Sequence, residues 1–167
     1  MKRKFLALCA SLAAAAALAG CAYPTSAAPG SSESAVVERL GAPDSEFALS
    51  DGGKVLVYSE TAAREVYWMR FDASGRLTGT EEVLNEAHFA LVKPGVSKLN
   101  DVLVLFGKPS WSFTLGLLHE KAIIYQFRED SGLPMAFWVQ YKDDGTVTDA
   151  SVVQDPLDNG DSIFPTL

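Results

Sequence analysis

The chain has 167 residues, 48% of them hydrophobic, 10% aromatic and 21% charged. That composition belongs to ordinary globular proteins and excludes the disordered and collagen-like classes. Its 14 Lys and Arg stand against 21 Asp and Glu, a formal net charge of −7, and this argues against a nucleic-acid partner because phosphate binding is driven by basic side chains releasing counterions.

At the N-terminus, Lys2, Arg3 and Lys4 precede an uncharged stretch from Phe5 to Gly20 that is rich in Ala and Leu. A positive start, an apolar run too short to span a membrane comfortably and small residues at its end make residues 1–20 a secretory signal. Its removal deepens the net charge from −7 to −10, since it holds three basic and no acidic side chains. Leu18-Ala19-Gly20-Cys21 resembles the bacterial lipobox, in which the Cys thiol is diacylated, the peptide is cleaved before it and the new amine is acylated. That resemblance implies Cys21 as the lipid attachment site. It also implies a protein held on the periplasmic face of the outer membrane, because Ala22 rather than Asp follows the Cys. Cys9 leaves with the signal and Cys21 is capped, so no disulfide forms in the mature chain. Residues 21–32 then read as a lipidated flexible tether, small and rich in Pro, Gly and Ser.

Two related units follow, 33–84 and 85–154. Leu40-Gly41-Ala42-Pro43 matches Phe106-Gly107-Lys108-Pro109, Val57-Tyr58 matches Ile124-Tyr125, and Tyr67-Trp68-Met69-Arg70-Phe71 matches Phe137-Trp138-Val139-Gln140-Tyr141, in the same order. Each unit opens with a helix. Val36, Val37 and Leu40 form its apolar stripe in the first, and Leu99, Val102, Leu103 and Phe106 in the second, where Ser97 is the expected cap and Asp101 lies in the first turn. Gly41 and Gly107 suit the left-handed position that ends a helix, and the prolines two residues on forbid continuation.

Three to four strands follow each helix. Phe47 and Leu49, like Trp111, Phe113 and Leu115, alternate with polar or small neighbours; Lys54 to Ser59 and Ala122 to Phe127 are β-branched and aromatic; a turn containing Gly75 or Gly145 then leads to a last extended run. Asp143-Asp144-Gly145 reads as a hairpin turn rather than a carboxylate pair for catalysis. Asn85 to Pro94 links the units, with Phe89 and Val92 spaced for a short helix, and 155–167 reads as an irregular acidic tail.

Strand parity yields the candidate binding residues. Tyr67, Met69 and Phe71 share one face of their strand, as do Phe137, Val139 and Tyr141; these uniformly apolar faces should take the helices. Trp68 with Arg70, and Trp138 with Gln140, then lie on the opposite face, and Trp beside Arg is the composition of an interface hot spot. The expectation is one continuous sheet face carrying all four as partner-binding residues. A search for chemistry finds no such pattern: His88 and His119 stand apart, no Ser sits in a Gly-x-Ser-x-Gly elbow, and no phosphate loop occurs. No enzyme activity, metal or cofactor is expected.

The lipobox, Asn85-x-x-x-Phe89-x-x-Val92-x-x-Gly95-Val96-Ser97, Val102-x-x-x-Phe106-Gly107-Lys108-Pro109-Ser110, Tyr125-Gln126-Phe127-Arg128 and Tyr141-x-x-x-Gly145-x-Val147 together resemble the BamE family, also called SmpA/OmlA, of outer-membrane lipoproteins. The resemblance implies an α+β fold: two tandem BamE-like units, each with one or two helices packed on an antiparallel sheet of three to four strands. It implies an envelope protein partner, with the outer-membrane β-barrel assembly machine the family's own. A tandem of such units is also similar in architecture to the β-lactamase inhibitory protein, and inhibition or modulation of an enzyme through the sheet face is the alternative function. Fatty-acid labelling in growing cells checks the anchor: label is expected on the native chain and not on Cys21→Ala, and label persisting in the variant would remove the lipoprotein reading.

Overall fold

In the computed structural model, residues 22–116 and 119–158 are described; Cys9, Cys21, the signal and lipobox, and residues 159–167 lie outside them. A short 3-10 turn at Pro24–Ser26 leads to helix α1 (Glu33–Leu40) and strands β1 (Ser45–Ala48), β2 (Lys54–Glu60), β3 (Glu65–Phe71) and β4 (Leu77–Glu82). Helices α2 (Glu86–Phe89) and α3 (Leu99–Phe106) follow, and then β5 (Trp111–Leu115), β6 (Glu120–Arg128), β7 (Pro134–Tyr141) and β8 (Val147–Gln154). The fold is α+β, with two separate four-stranded antiparallel sheets in the orders β1-β2-β3-β4 and β5-β6-β7-β8.

Local chemistry sets the helix ends. The Ser32 hydroxyl accepts from the Ala35 N–H at 3.3 Å and caps α1. Ser97 does not cap α3. Its hydroxyl instead accepts from the Lys93 N–H at 2.9 Å, while the Asp101 carboxylate reaches back to the Lys98 N–H at 2.8 Å and anchors the first turn. Both helices stop at a glycine with positive φ, 87° at Gly41 and 66° at Gly107. At Gly107 the need is also steric, because a Cβ there would run into the Ser59 hydroxyl.

The two sheets repeat one another at matched points. The Tyr58 hydroxyl donates to the Gly41 carbonyl and the Tyr125 hydroxyl to the Gly107 carbonyl, both at 3.0 Å. Ladder irregularities fall between Arg70 and Phe71 and between Gln140 and Tyr141, at matched places. The expected DDG turn joins β7 to β8, with Gly145 at φ 79°.

The elements stack in layers: α1, the first sheet, α2 with α3, the second sheet. Val36 of α1 packs with Leu56, Tyr58, Met69, Phe71 and Leu77 on one face of the first sheet. The other face, with Val55, Val57, Val66 and Trp68, shares a single apolar cluster with Phe89, Val102 and Phe106 and with Ile123, Tyr125, Phe127, Phe137 and Val139 of the second sheet. Phe106 is fully buried there, its ring 5.5 Å from that of Tyr125, 5.6 Å from Phe137 and 5.9 Å from Phe89.

Two segments depart from expectation. Residues 22–32 are packed rather than a free tether: Pro24 is buried and the Tyr23 ring stands edge-on to Tyr67 at 5.6 Å. The Gly30 N–H donates to the Leu77 carbonyl at 2.8 Å and the Leu77 N–H to the Ser31 carbonyl at 2.9 Å. Small side chains that suggest flexibility also let a backbone lie close against a strand, and 95–97 make the same pair of bonds with Val147 in the second half. Residues 155–158 are likewise held. The Asp155 carboxylate, 1% exposed, accepts from Gln126 Nε2 at 2.6 Å and lies 3.3 Å from the Arg64 guanidinium, which also reaches Asp158 at 2.8 Å. Phe106→Ala is expected to cost about 3–5 kcal/mol, as large-to-small core truncations do; an unchanged urea midpoint would show that Phe106 does not hold the layers together.

Candidate functional site

Register assembles an aromatic face on the outer side of the second sheet. Trp111 stands opposite Ile124, Ile124 opposite Trp138, and Trp138 opposite Ser151; in the next row, Phe113, Ala122, Gln140 and Asp149 stand opposite one another. All eight therefore share one face. The three described helices pack elsewhere, α1 on the first sheet and α2 and α3 on the inner face of the second. The Phe113 and Trp138 rings stack with centroids 6.0 Å apart and planes 6° from parallel. Trp111 is 52% exposed, and its indole N–H donates to Gln126 Oε1 at 3.3 Å. Gln126 in turn donates to the buried Asp155 carboxylate. The Trp138 indole nitrogen is enclosed and has no hydrogen-bond partner, a state that costs about 1–3 kcal/mol for a buried donor.

The four residues singled out by parity are divided between layers rather than joined on one continuous face. Trp138 and Gln140 are half-buried on the outer face. Trp68 is 5% exposed, because α3 covers the equivalent face of the first sheet and the indole N–H donates to the Leu105 carbonyl at 2.6 Å. Parity alone fixes which side of a strand a side chain takes, but not what lies against it. Arg70 sits at the rim of the same interface, its guanidinium 5.4 Å from the Trp68 ring centre and 3.7 Å from Glu81. Trp111 and Phe113 are the members that parity within β3 and β7 could not reach. The signal for them was the alternation in β5, which required the β5–β6 register to place its face.

His88 completes the rim of the buried interface. Its ring stands edge-on to Trp68 at 4.7 Å, Nδ1 lies 2.9 Å from Asn85 Oδ1, and Nε2 lies 3.6 Å from Glu81. Burial holds the imidazole below the ordinary histidine range; Glu81 pulls the other way and Arg70 reinforces the burial. His119 is an exposed turn residue with φ 51°. Among the described residues, no three His, Cys, Asp or Glu are grouped to hold a metal ion, and no helix is long and apolar enough to cross a membrane. No family model, curated protein sequence or solved structure matches the chain.

A depressed imidazole pKa has a definite thermodynamic sign. The unfolded chain takes up a proton at residue 88 before the folded one does, so the contribution of His88 is intact above the ordinary histidine value and is lost on acidification through it. Denaturation midpoints measured from pH 7 to 5 are expected to fall more steeply for the native chain than for His88→Gln, and identical slopes would show that this imidazole titrates as in the unfolded state.

Proposed function

We propose that this protein is a non-enzymatic, periplasm-facing lipoprotein of the outer membrane, built from two tandem BamE-like units, that binds an envelope protein partner in outer-membrane assembly or maintenance. The observation that carries the binding reading is the outer face of the second sheet. It presents a half-exposed Trp111 beside a stacked Phe113–Trp138 pair, and no described helix lies on it. Aromatic side chains gathered on one face in this way are the usual anchors of protein interfaces. The tandem layout is supported by the matched hydrogen bonds of the two sheets, and the membrane attachment by the lipobox.

Packing of 22–32 adds a consequence to the lipid reading. Ala22 follows Cys21 directly, and Tyr23 and Pro24 already rest on the body of the protein. An acyl group on Cys21 would therefore hold the body against the membrane surface with almost no slack, which fixes the directions in which the second sheet can face.

Affinity capture of the detergent-solubilised lipidated chain tests the function. Assembly-machine subunits are the expected catch, and Trp111→Ala is expected to weaken their retention by more than about 1 kcal/mol, or about fivefold, with the denaturation midpoint little changed because the ring is half in solvent. A single hydrolase in their place would favour the inhibitor function. Retention unaffected by Trp111→Ala and by Trp138→Ala would place binding elsewhere on the molecule.

A further inference from the structure

β8 is an edge strand of the second sheet, eight residues long. The Gly95 N–H donates to the Val147 carbonyl at 2.8 Å and the Val147 N–H to the Ser97 carbonyl at 3.0 Å, so 95–97 begin a further strand on this edge before the chain turns away into α3. Past Val147, none of the described residues pairs with the edge. The Asp155 N–H donates to the Pro134 carbonyl at 3.0 Å, and bonded and non-bonded pairs alternate along an antiparallel ladder. Ser151 and Val153 therefore bond to β7, while Ala150, Val152 and Gln154 turn their N–H and C=O groups to the open edge.

The first sheet blunts its equivalent edge and the second does not. Thr80 and Glu82 of β4 stand opposite Met69 and Tyr67; in the same places, Ala150 and Val152 stand opposite Val139 and Phe137. A charged side chain on an edge strand discourages a further strand from pairing. From Ala150 to Gln154 there is no charge and no proline, and Val152 and Val153 are 39% and 37% exposed. Beside this edge lies a groove of about 310 Å³, with Phe137, Ala150 and Val152 of the sheet on one side and Phe89, Val92 and Pro94 on the other. It shares Glu86 and Val152 with a second hollow of about 360 Å³, bordered by Glu82, Arg128, Glu129 and Asp130.

We infer that the edge of β8 takes an extended segment of another protein as an added strand, its main chain bonded to Ala150, Val152 and Gln154, its alternate apolar side chains in the groove and a Lys or Arg at the acidic end. The inference goes beyond the outer face, which it does not use, and rests on the binding function proposed above only for the existence of a partner. Charge selects the occupant. Glu82, Glu86, Glu129 and Asp130 stand against Lys93 and Arg128, and the Arg128 guanidinium is drawn to the Gly132 carbonyl at 3.2 Å, so a basic side chain is favoured there. A second copy of this chain does not supply one: its edge strands β1, β4, β5 and β8 carry Glu46, Glu81, Glu82 and Asp149 and no Lys or Arg. The chain after β8 turns to the opposite face, where the Asp155 carboxylate meets Gln126.

Photo-crosslinking in cells tests this with the full-length chain. Benzoylphenylalanine is placed at Ala90 beside the groove, at Gln154 on the edge and, on other surfaces, at Trp111 and Glu38, and the crosslinked segments are sequenced by mass spectrometry. The expected result is a crosslink from 90 and 154 to a segment of a different protein in which apolar residues alternate and a Lys or Arg is included. Val152→Pro removes an outward N–H and no bond within the sheet, and it should lower the yield about five- to tenfold. Val152→Glu, which copies Glu82 of the first sheet, should lower it similarly and keeps the test open if Val152→Pro fails to fold. Crosslinks from 90 and 154 to a segment of helical spacing, to residues 159–167 of the same chain or to a second copy would overturn the inference, as would a yield indifferent to these substitutions in a folded protein. Crosslinks from 111 or 38 alone would overturn the edge site and leave a binding protein; none from any position would overturn both.

Discussion

Burial of α3 on two sides is the constraint from which the rest of the architecture follows. Six of its eight residues are apolar, and only Asn100 and Asp101 are exposed. Such a helix has no solvent face wide enough to leave it on a surface. One sheet takes Phe106 and Val102, and the other takes the carbonyl end through Ser45, Ser59 and Trp68. Gly107 sits at the junction, its carbonyl bound by Tyr125 of the second sheet and its missing side chain making room for Ser59 of the first. The two sheets are therefore stacked through a helix rather than joined edge to edge. A free-standing second half would expose the apolar side of α3.

The stack has unlike ends. At one end α1 closes the first sheet with a single apolar stripe and presents a polar back, which stops the series there. At the other, the second sheet ends in aromatic side chains with no described helix upon them. Repeat architectures meet the same difficulty at their termini, where an element built to contact a neighbour has none and is closed by a polar cap or by a partner. Here the closing element is polar at one end only. The Arg64–Asp155–Gln126 cluster beside the outer face holds the chain after β8 against the turn before β3, so the rim of that face is fixed by groups from both halves.

The acidity of the chain acts on association rather than on folding. Exposed ion pairs such as Lys54 with Glu33 and Lys121 with Asp143 contribute little stability, being screened by solvent, whereas the net charge of −7 repels other acidic surfaces and favours basic ones.

How much of this was legible without coordinates depended on the range of the interaction. Helix ends at Gly41 and Gly107, three to four strands after each helix, the hairpin at Gly145 and the division of Trp68 from Met69 across a strand all follow from spacings of a few residues, where chain geometry alone decides, and the internal match between the halves followed from comparing the sequence with itself. Contacts between residues far apart in sequence were not. Parity put Trp68 and Trp138 on equivalent faces, and the sequences around them are alike, yet one is enclosed by α3 and the other turns outward. Only the stacking order of layers distinguishes them, because each sheet has two faces and the described residues hold one two-sided helix to lay between them. The same reason governs residues 22–32, whose small side chains fit a free tether and a backbone pressed against Leu77 equally well until the sheet that receives them is in place.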